Sequence, residues 1–248
     1  MLEVRAITIF PGIFDSFMQF GNPARAVEAG LLNFETIDLR DFTEDRHRTT
    51  DDYPYGGGTG MIMKPEPLVK AIRYARHSVS QARVILMTPQ GRRLDQKVVR
   101  ELGDFPSLVF VCGRYEGVDE RVRDFVDDEI SIGDFVISGG ETAVTVVVDA
   151  VVRLIPGVLG ADSNIDGESF YEGLLEYPQY TRPREFEGLN TPEILLEGHH
   201  ARIRVWRKKQ ALVRTLIRRP DLLADRILDK EEKILLEEIK AEQSEQTI

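Results

Sequence analysis

The feature of this chain that most constrains its fold is a change in hydrophobic pattern near residue 160. Before that point, short β-like runs alternate with helical patterns; the runs are Val4 to Phe10, Arg83 to Thr88, Leu108 to Cys112 and Phe135 to Ile137. Strands that alternate with helices predict an α/β fold, in which helices cover a parallel sheet. One long helical pattern, Glu141 to Ile155, is apolar on more than one face, so we expect it to be buried against the sheet or a second subunit.

The second part of the chain has a different pattern. Small and polar residues from Ala161 to Gly167 are typical of a flexible linker. Beyond Phe170 the β pattern vanishes, a long helix is predicted from Ala201 to Arg218, and Asp229 with Glu232 offers a capping pattern for the last helix. We therefore predict an α/β domain over residues 1–160, a linker over 161–170 and a small all-helical domain over 171–248.

The distribution of charge says more about partners than its sum does. The net charge of −10 argues against a nucleic-acid partner, yet eight Arg or Lys and no Asp or Glu lie between His199 and Arg219. On the predicted helix, Val205, Trp206, Leu212, Val213, Leu216 and Ile217 define a core face, whereas Arg204, Lys208, Arg214 and Arg218 line the other side. This side suits phosphates, and the alternative is an ordinary solvated face.

Cysteine usage and the N-terminal segment indicate the compartment. Cys112 is the single cysteine, so an internal disulfide is excluded and a zinc knuckle is implausible. Glu3 and Arg5 interrupt the first apolar stretch, which therefore lacks the core of a signal peptide, and no segment approaches the roughly 20 apolar residues that span a bilayer. We expect a cytoplasmic protein with no membrane partner.

Four glycine-rich segments are candidates for close approach to a ligand. They are Tyr55 to Gly60, Pro89 to Gly91, Cys112 to Gly117 and Ser131 to Glu141. None matches the phosphate-binding loop or the dinucleotide fingerprint, which weakens any expectation of ATP or NAD. Each segment by itself is equally typical of a turn, but three follow predicted strand ends, where open α/β sheets bind ligands. Together they predict a pocket.

Two of these segments carry a family resemblance. CGRYEG, then SIGDFVISGGE, then a helix with Arg153 that ends in IPGVLG, resemble the bacterial tRNA (guanine-N1)-methyltransferases of the knotted SPOUT superfamily. The resemblance extends to RDFTEDRHRTTDDYPYGGGTGM, to LEYPQYTRP and to the region around Trp206, and so covers nearly the whole chain.

The resemblance implies a fold, a cofactor and partners. Domain 1–160 would be a SPOUT-type α/β domain with a deep trefoil knot that holds S-adenosylmethionine, and two subunits of a homodimer would share each active site. The acceptor would be tRNA rather than DNA, methylated at N1 of the guanosine immediately 3′ of the anticodon, guanosine-37. The implied donor pocket consists of Pro89, Gly113, Tyr115, Ser131, Ile132, Gly133, Asp134, Phe135, Val136, Ile137, Gly139 and Gly140.

The acceptor base sets the chemistry that the site needs. Guanine N1 carries a proton at neutral pH, so attack on the methyl group requires a base, and negative charge then accumulates on O6, where a cation helps. Arg153 is the candidate cation because it lies in an otherwise apolar helix; the alternative is an ion pair with Asp149.

The candidate base is Glu168, and it departs from the family's pattern. The family places an aspartate just before a serine in the linker, whereas this chain has Glu168 before Ser169, one methylene longer. The same chemistry is available if the backbone retreats slightly. Asp166 is the second candidate, and the default for either carboxylate is a solvated surface group. Ser169, the residue after Glu168, is assigned to a contact with tRNA.

Glu116 and the loop before the triple glycine complete the candidates. Glu116 would orient the target guanine or help hold Mg²⁺, an ion that the resemblance implies, unless it is a simple turn carboxylate. Arg46, His47, Arg48 and Asp51 resemble the family's tRNA-contacting loop. No metal-ligand spacing is present there, and His47 in a charged loop is more typical of a solvated or phosphate-facing residue.

Two other functions stay open at this stage. A knotted methyltransferase that acts on another RNA would share the donor loops but would not need Arg153, Glu168 and LEYPQYTRP. A non-catalytic RNA-binding protein would carry a vestigial pocket, and the intact Gly113, Gly133, Gly139 and Gly140 argue against it.

Overall fold

The computed structural model describes residues 1–160, 165–224 and 226–245. The chain forms two compact units, Met1–Ala161 and Asp162–Ile248. Within the described residues, no helix is long and apolar enough to cross a membrane.

The first unit is built on a parallel sheet. Its strands are β1 (Leu2–Thr8), β2 (Leu32–Asp38), β3 (Asp51–Asp52), β4 (Ile62–Met63), β5 (Ala82–Arg93), β6 (Ser107–Cys112) and β7 (Asp128–Ser131). Five of them form one sheet in the order β2-β1-β6-β5-β7, in which every pair is parallel, and β3 pairs with β4 in a separate antiparallel ribbon. The predicted α/β fold with a parallel sheet is confirmed.

Helices cover both faces of this sheet. They are α1 (Asp15–Met18), α2 (Gly21–Glu28), α3 (Pro65–Ser78), α4 (Gln96–Gly103) and α5 (Gly140–Val152), with short 3-10 helices at Pro11–Phe14, Leu39–Phe42 and Glu120–Phe125. One core cluster joins the sheet to α4 and α5, and a second joins it to α3. The apolar helix α5 buries Val144, Val147 and Val151 but leaves Val146 45% exposed. Its burial against the sheet is therefore observed, with one apolar side chain left at the surface.

The strand predicted at Phe135 to Ile137 is wrong. The strand in this region is β7, which ends at Ser131, and the residues from 132 to 139 form a loop. The Ser131 side chain accepts a hydrogen bond from the Gly133 amide at 3.2 Å, and Gly133 has a φ of 147°, so the backbone turns away from the sheet. Three consecutive apolar residues favour a strand by pattern, but Phe135 is 56% and Val136 88% exposed.

Strand β5 is irregular where it meets β7. The register shifts between Met87 and Arg92, so that both residues pair with Ile130. Gly91 lies in the extra segment, and a Cβ there would overlap the backbone of Glu129 and Ile130. Glycine is therefore required at position 91 for β7 to pass this close. The bulge directs residues 88 to 90 towards the edge of the sheet, where the site described below lies.

The second unit is mainly helical. It contains α6 (His200–Arg218), α7 (Asp221–Ala224) and α8 (Lys230–Glu245), and a small core that includes Leu174, Leu212, Leu235 and Ile239. The predicted helical domain is observed with one addition, a hairpin of β8 (Glu185–Phe186) and β9 (Leu189–Asn190). Ile217, expected on the core face of α6, is 64% exposed, because the apolar face ends at Leu216.

The capping pattern predicted for the last helix is confirmed. The Glu232 amide donates to the Asp229 carboxylate at 2.7 Å, and the Asp229 amide donates to the Glu232 carboxylate at 3.0 Å. This reciprocal pair satisfies two backbone donors at the start of α8. Of the predicted linker 161–170, residues 161–164 lie outside the described residues, and Ile165–Gly167 form a 3-10 helix.

Candidate active site

A cavity of about 410 Å³ lies at the carboxyl ends of β5, β6 and β7. Its walls come from the end of β5 (Leu86 to Gln90), the loop after β6 (Gly113 to Val118) and the loop after β7 (Ser131 to Gly140). We call these two loops the first and the second loop. Open parallel sheets bind ligands at this edge, and sites for small molecules usually measure about 300–1,000 Å³. The cavity therefore has the position and the size of a small-molecule site.

Glycines bring the two loops together. The Gly140 amide donates to the Gly113 carbonyl oxygen at 2.9 Å, and Arg114 and Gly139 form an isolated antiparallel bridge. A Cβ at Gly140 would lie 2.8 Å from the Cys112 Cα, and a Cβ at Gly139 would overlap the Arg114 side chain. Only glycine permits this approach, which closes one side of the cavity.

The first loop makes a tight turn at the cavity. Tyr115 has a φ of 58°, Gly117 has a φ of 120°, and the Gly117 amide donates to the Arg114 carbonyl oxygen at 3.0 Å. A left-handed tyrosine is uncommon and costs energy, which the surrounding contacts must offset. The turn leaves the Tyr115 ring half-exposed at the cavity wall.

Glu116 is held by Gly60 and Met61, which follow the triple glycine. Its amide donates to the Met61 carbonyl oxygen at 3.0 Å, and the Met63 amide donates back to the Gly117 carbonyl oxygen at 2.9 Å. The Glu116 side chain lies against Gly60, where a Cβ would be only 2.5 Å from the Glu116 Cγ. Gly60 and Met61 therefore fix where the Glu116 carboxylate can lie beside the cavity.

A buried ion pair lies where the loops meet the sheet. Glu141, the second residue of α5, is fully buried, and its carboxylate accepts hydrogen bonds from Arg114 Nε at 2.8 Å and from the Thr8 hydroxyl at 2.7 Å. Arg114 also donates to the Ser138 carbonyl oxygen at 3.1 Å, and its guanidinium lies 4.8 Å from the centre of the Phe10 ring. This cluster ties the end of β1 to both loops.

Cys112 offers no nucleophile to the cavity. It is buried at the end of β6, and desolvation, reinforced by the Glu141 charge, raises the pKa of its thiol well above the usual value. The thiol stays protonated at neutral pH, and a protonated thiol is a poor nucleophile.

The structure places the sequence-predicted donor residues around one cavity. All of the residues assigned to the donor pocket line it except Asp134, which belongs to the second loop but does not contribute to the wall. Glu116 also lines the cavity. Arg114 and Gln90 lie inside the predicted glycine-rich segments but were given no role of their own, and Arg123 was not predicted at all. Arg123 donates to both Gln90 and Glu129, and the bond to Glu129 raises the pKa of Arg123.

Arg153 lies at the other end of α5 from the cavity. Gly140, the first residue of the helix, lines the cavity, and Arg153 is the residue that follows its last turn. The helix has 13 residues, which at about 1.5 Å per residue separate the two ends by roughly 20 Å. An arginine side chain does not span that distance, so Arg153 does not reach the cavity of its own chain.

The candidate bases lie in the second unit. The Glu168 amide donates to the Ile165 carbonyl oxygen at 3.1 Å, and its side chain is half-buried. The Ser169 hydroxyl accepts from the Glu176 amide at 3.0 Å, which anchors the following turn. The Asp166 side chain, the alternative base, lies outside the described residues.

The predicted tRNA-contacting loop is organised by one carboxylate. Asp45 accepts from the amides of His47 and Thr49 at 2.9 and 3.0 Å, and these backbone bonds, that of Thr49 first, lower the pKa of Asp45. The arrangement leaves the Arg46 and His47 side chains exposed. Arg48 instead pairs with Asp41, and Asp51 lies in β3.

Acidic residues of α8 neutralise part of the basic face of α6. Arg204 donates to Glu231 at 2.8 Å, and Lys208 lies 2.7 Å from Asp229 and 3.1 Å from Glu231. The bonds from Arg204 and Lys208 lower the pKa of Glu231 to about 2. Arg214 and Arg218 have no ion-pair partner among the residues that the structure describes. Arg207, which lies over the Tyr177 ring, also has no ion-pair partner among the described residues, so the uncompensated positive charge of α6 lies at Arg207, Arg214 and Arg218.

Across the described part of the chain, no three His, Cys, Asp or Glu side chains lie together as metal ligands would. Glu116 therefore does not belong to a cluster of three protein ligands, and no metal is assigned to it.

The fold and the cavity define a class of protein: a parallel α/β domain with a cavity of small-molecule size at the carboxyl ends of its strands, followed by a smaller, mainly helical unit with a basic helix. A family model described as tRNA (guanine-1)-methyltransferase TrmD matches residues 2–225. The chain belongs to this family.

Full-length relatives agree with this assignment. A tRNA (guanine-N(1)-)-methyltransferase of Dictyoglomus turgidum is 52% identical over 246 residues, which covers 99% of this chain and 100% of that protein. Proteins of the same description from Geotalea uraniireducens and Syntrophotalea carbinolica are 54% and 51% identical, and each alignment covers 94% of this chain and 95% of the relative. Membership of the family makes this chain a tRNA methyltransferase.

Proposed function

We propose that this protein transfers a methyl group from S-adenosylmethionine to N1 of guanosine-37, the nucleotide immediately 3′ of the anticodon in tRNA. The observation that supports this proposal most strongly is a cavity lined by most residues of CGRYEG and SIGDFVISGGE and by Pro89, in a chain of the tRNA (guanine-1)-methyltransferase family. A tRNA substrate and a free buried cysteine are consistent with a cytoplasmic enzyme.

The cavity fits the donor in size and chemistry. Its volume of about 410 Å³ suits a nucleoside with a short side chain, and its glycine-rich loops present backbone amides and carbonyls at close range. S-adenosylmethionine would supply a methyl group on a positively charged sulfur. We assign donor binding to the predicted residues that line the cavity, and Asp134 to the loop that carries them.

Acceptor chemistry is assigned to Glu168, Arg153 and Glu116. Glu168 would take the proton from guanine N1, and Arg153 would stabilise the charge on O6. Glu116 would orient the guanine from the cavity wall, where Gly60 holds its side chain. The described residues form no metal cluster, so no step is assigned to Mg²⁺.

The position of Arg153 supports a shared active site. Roughly 20 Å of helix α5 separates Arg153 from the cavity of its own chain. Arg153 and a donor in the cavity therefore act on the same guanine only if they belong to different subunits. Exposed apolar side chains on α5 and on the segment that follows β1, Val146, Phe10 and Ile13, offer surface for a homodimer. The trefoil knot implied by the resemblance remains part of this proposal.

Contacts with tRNA are assigned to the loop before the triple glycine, to Ser169 and to α6. Arg46 and His47 are exposed, and Arg48 and Asp51 flank the same loop. On α6, Arg214 is available, whereas Arg204 and Lys208 must exchange their carboxylate partners for phosphate.

The substrate assignment is tested with tRNA transcripts that differ only at guanosine-37. Transfer of a labelled methyl group is expected to the transcript with guanosine and not to one with adenosine, since adenine N1 carries no proton and its exocyclic group is an amine. Methylation that persists without guanosine-37 would point to another RNA substrate. Absence of heat on titration with S-adenosylmethionine would favour the non-catalytic RNA-binding alternative.

The base assignment is tested by Glu168→Gln with Asp166→Asn as the matched variant. Glu168→Gln removes the proton acceptor while preserving side-chain length, so turnover should fall by about 10²–10⁴-fold with both ligands still bound. Asp166→Asn should retain activity. The reverse pattern of rates in single-turnover assays would move the role to Asp166.

A further inference from the structure

Glu141 is the fully buried carboxylate that the proposed chemistry does not use. It accepts from Thr8 at 2.7 Å and from Arg114 at 2.8 Å, and the Thr8 hydroxyl accepts in turn from the Phe10 amide at 2.9 Å. Thr8 ends β1, Arg114 belongs to the first loop, and Glu141 follows the second loop directly. The three side chains therefore join three separate strand ends beneath one cavity.

We infer that Thr8, Glu141 and Arg114 form a positioning triad that holds the two loops in the conformation that binds the methyl donor; this inference rests on the proposed function. Arg114 provides the link to the loops. Its guanidinium packs on the Cα of Gly139, donates to the Ser138 carbonyl oxygen at 3.1 Å and lies over the Phe10 ring. Glu141 fixes that guanidinium, and Thr8 fixes Glu141.

The free-energy cost of leaving Glu141 buried without its cation explains why the triad controls the loops. A buried carboxylate that loses its cation must either remain uncompensated or move towards water. Glu141 is on the first turn of α5 and cannot move without displacing Gly139 and Gly140, which line the cavity. Because Gly139 and Gly140 also touch the first loop, a shift there changes both walls at once. Loss of the triad therefore acts on the donor site, although Thr8 and Glu141 do not line the cavity.

The test measures donor binding by the full-length chain. Thr8→Val keeps the shape of the side chain and removes its hydrogen bonds, and Glu141→Gln removes the charge. On titration with S-adenosylmethionine, we expect Kd to rise about 3- to 10-fold for Thr8→Val and at least about 10-fold for Glu141→Gln. In kinetic assays the KM for the donor should rise likewise, while the KM for tRNA changes by less than about 2-fold.

A double variant distinguishes a coupled triad from separate structural contacts. Arg114→Gln removes the cation and leaves Glu141 uncompensated, so it should be as harmful as Glu141→Gln. Arg114→Gln combined with Glu141→Gln leaves no uncompensated charge, and its Kd should stay within about 3-fold of the worse single variant. A Kd that equals the product of the two single effects would overturn the inference.

Arg5→Gln is the matched control for general loss of stability. Arg5 is buried on the same strand as Thr8, where it pairs with Glu3 and Glu35, each at 3.0 Å, and it does not line the cavity. It should lower the thermal midpoint without changing the donor Kd. If Glu141→Gln does not fold, the donor Kd of Thr8→Val by itself tests the inference.

The outcomes separate this inference from the proposed function. If the wild-type chain binds S-adenosylmethionine and methylates tRNA but Thr8→Val and Glu141→Gln bind the donor with the wild-type Kd, the triad has no positioning role and the proposed function stands. If the wild-type chain binds no donor, both are overturned.

Discussion

Gly140 determines how closely the two loops approach each other. Its amide donates to Gly113, and the place of its missing Cβ is 2.8 Å from the Cys112 Cα and 3.1 Å from the Gly113 nitrogen. These neighbours are backbone atoms at the end of a buried strand and cannot move aside as a flexible side chain would. A single methyl group at position 140 must therefore open the cavity wall.

Gly140→Ala is expected to raise the Kd for S-adenosylmethionine by at least about 10-fold and to destabilise the fold by about 1–3 kcal/mol, since overpacking forces the backbone to shift. Titration calorimetry and thermal unfolding measure the two effects. Gly103→Ala is the control, because a Cβ at Gly103, the last residue of α4, would make an ordinary 3.6 Å contact with Leu154. An unchanged donor Kd in Gly140→Ala would argue against the assigned pocket.

Some individual residues could be assigned from the sequence and some could not. Gly113 and Gly140 were assigned through the resemblance, since each glycine-rich segment by itself is equally typical of a turn. Arg114 was not, although it lies between Gly113 and Tyr115, because its partner Glu141 is 27 positions away along the chain. Only folding shows which of many acidic residues meets a given arginine.

At the scale of elements, periodicity predicted helices better than strands. Helix α6 was predicted from Ala201 to Arg218 and runs from His200 to Arg218. Its length supplies several turns of evidence, whereas a run of three apolar residues such as Phe135 to Ile137 fits a strand, a helix or the wall of a cavity equally well. The second loop places Ile137 and its neighbours around the cavity. A ligand in the cavity would cover their exposed apolar surface.

Helix α8 changes the interpretation of the basic helix α6. The lack of acids within α6 predicts a free cationic face, but Glu231 on the first turn of α8 and Asp229, the residue before α8, pair with Arg204 and Lys208. Pairs between exposed groups contribute little stability, yet they reduce the charge that α6 presents. Lys208 is therefore paired with carboxylates, whereas Arg214 has no ion-pair partner among the described residues. The sequence of α6 by itself does not show this difference.

Arg214→Gln is expected to weaken tRNA binding and to reduce the dependence of log Kd on log salt concentration by about 1, as for loss of one phosphate contact. Lys208→Gln should have a smaller effect, because Asp229 and Glu231 already compensate the Lys208 charge. Fluorescence anisotropy with labelled tRNA over a range of salt concentrations measures both, and donor binding should be unchanged. Equal salt slopes for the two variants would show that the α8 pairs do not persist in the complex.

At the scale of the whole molecule, the length of α5 means that Arg153, if it acts on the guanine as proposed, serves the cavity of a second chain. This leads to a complementation test with two impaired variants, Arg153→Ala and Gly140→Ala, assayed at a donor concentration well below the raised Kd of Gly140→Ala. Each homodimer should be nearly inactive. After mixing and exchange, the mixed dimer has one intact site, built from the cavity of the Arg153→Ala chain and Arg153 of the other chain. About half of the dimers are mixed, so activity should recover to about a quarter of the wild-type value.

The outcome of mixing depends only on how the subunits contribute. If Arg153 and the cavity of the same chain form the site, no mixed dimer has an intact copy and activity stays at the level of the single variants. Retention of tRNA binding by both variants, measured separately, confirms that the mixed chains are folded.

The sequence by itself determined the class of fold, the division into two parts near residue 160 and the family, because strand and helix periods and contiguous motifs are local properties of the chain. The register shift at Gly91, the docking of Glu116 on Gly60, the Thr8–Glu141–Arg114 cluster and the neutralisation of α6 by α8 were decided only by the tertiary structure. Each of these depends on residues far apart in sequence, and contact between them is set by the packing of whole elements.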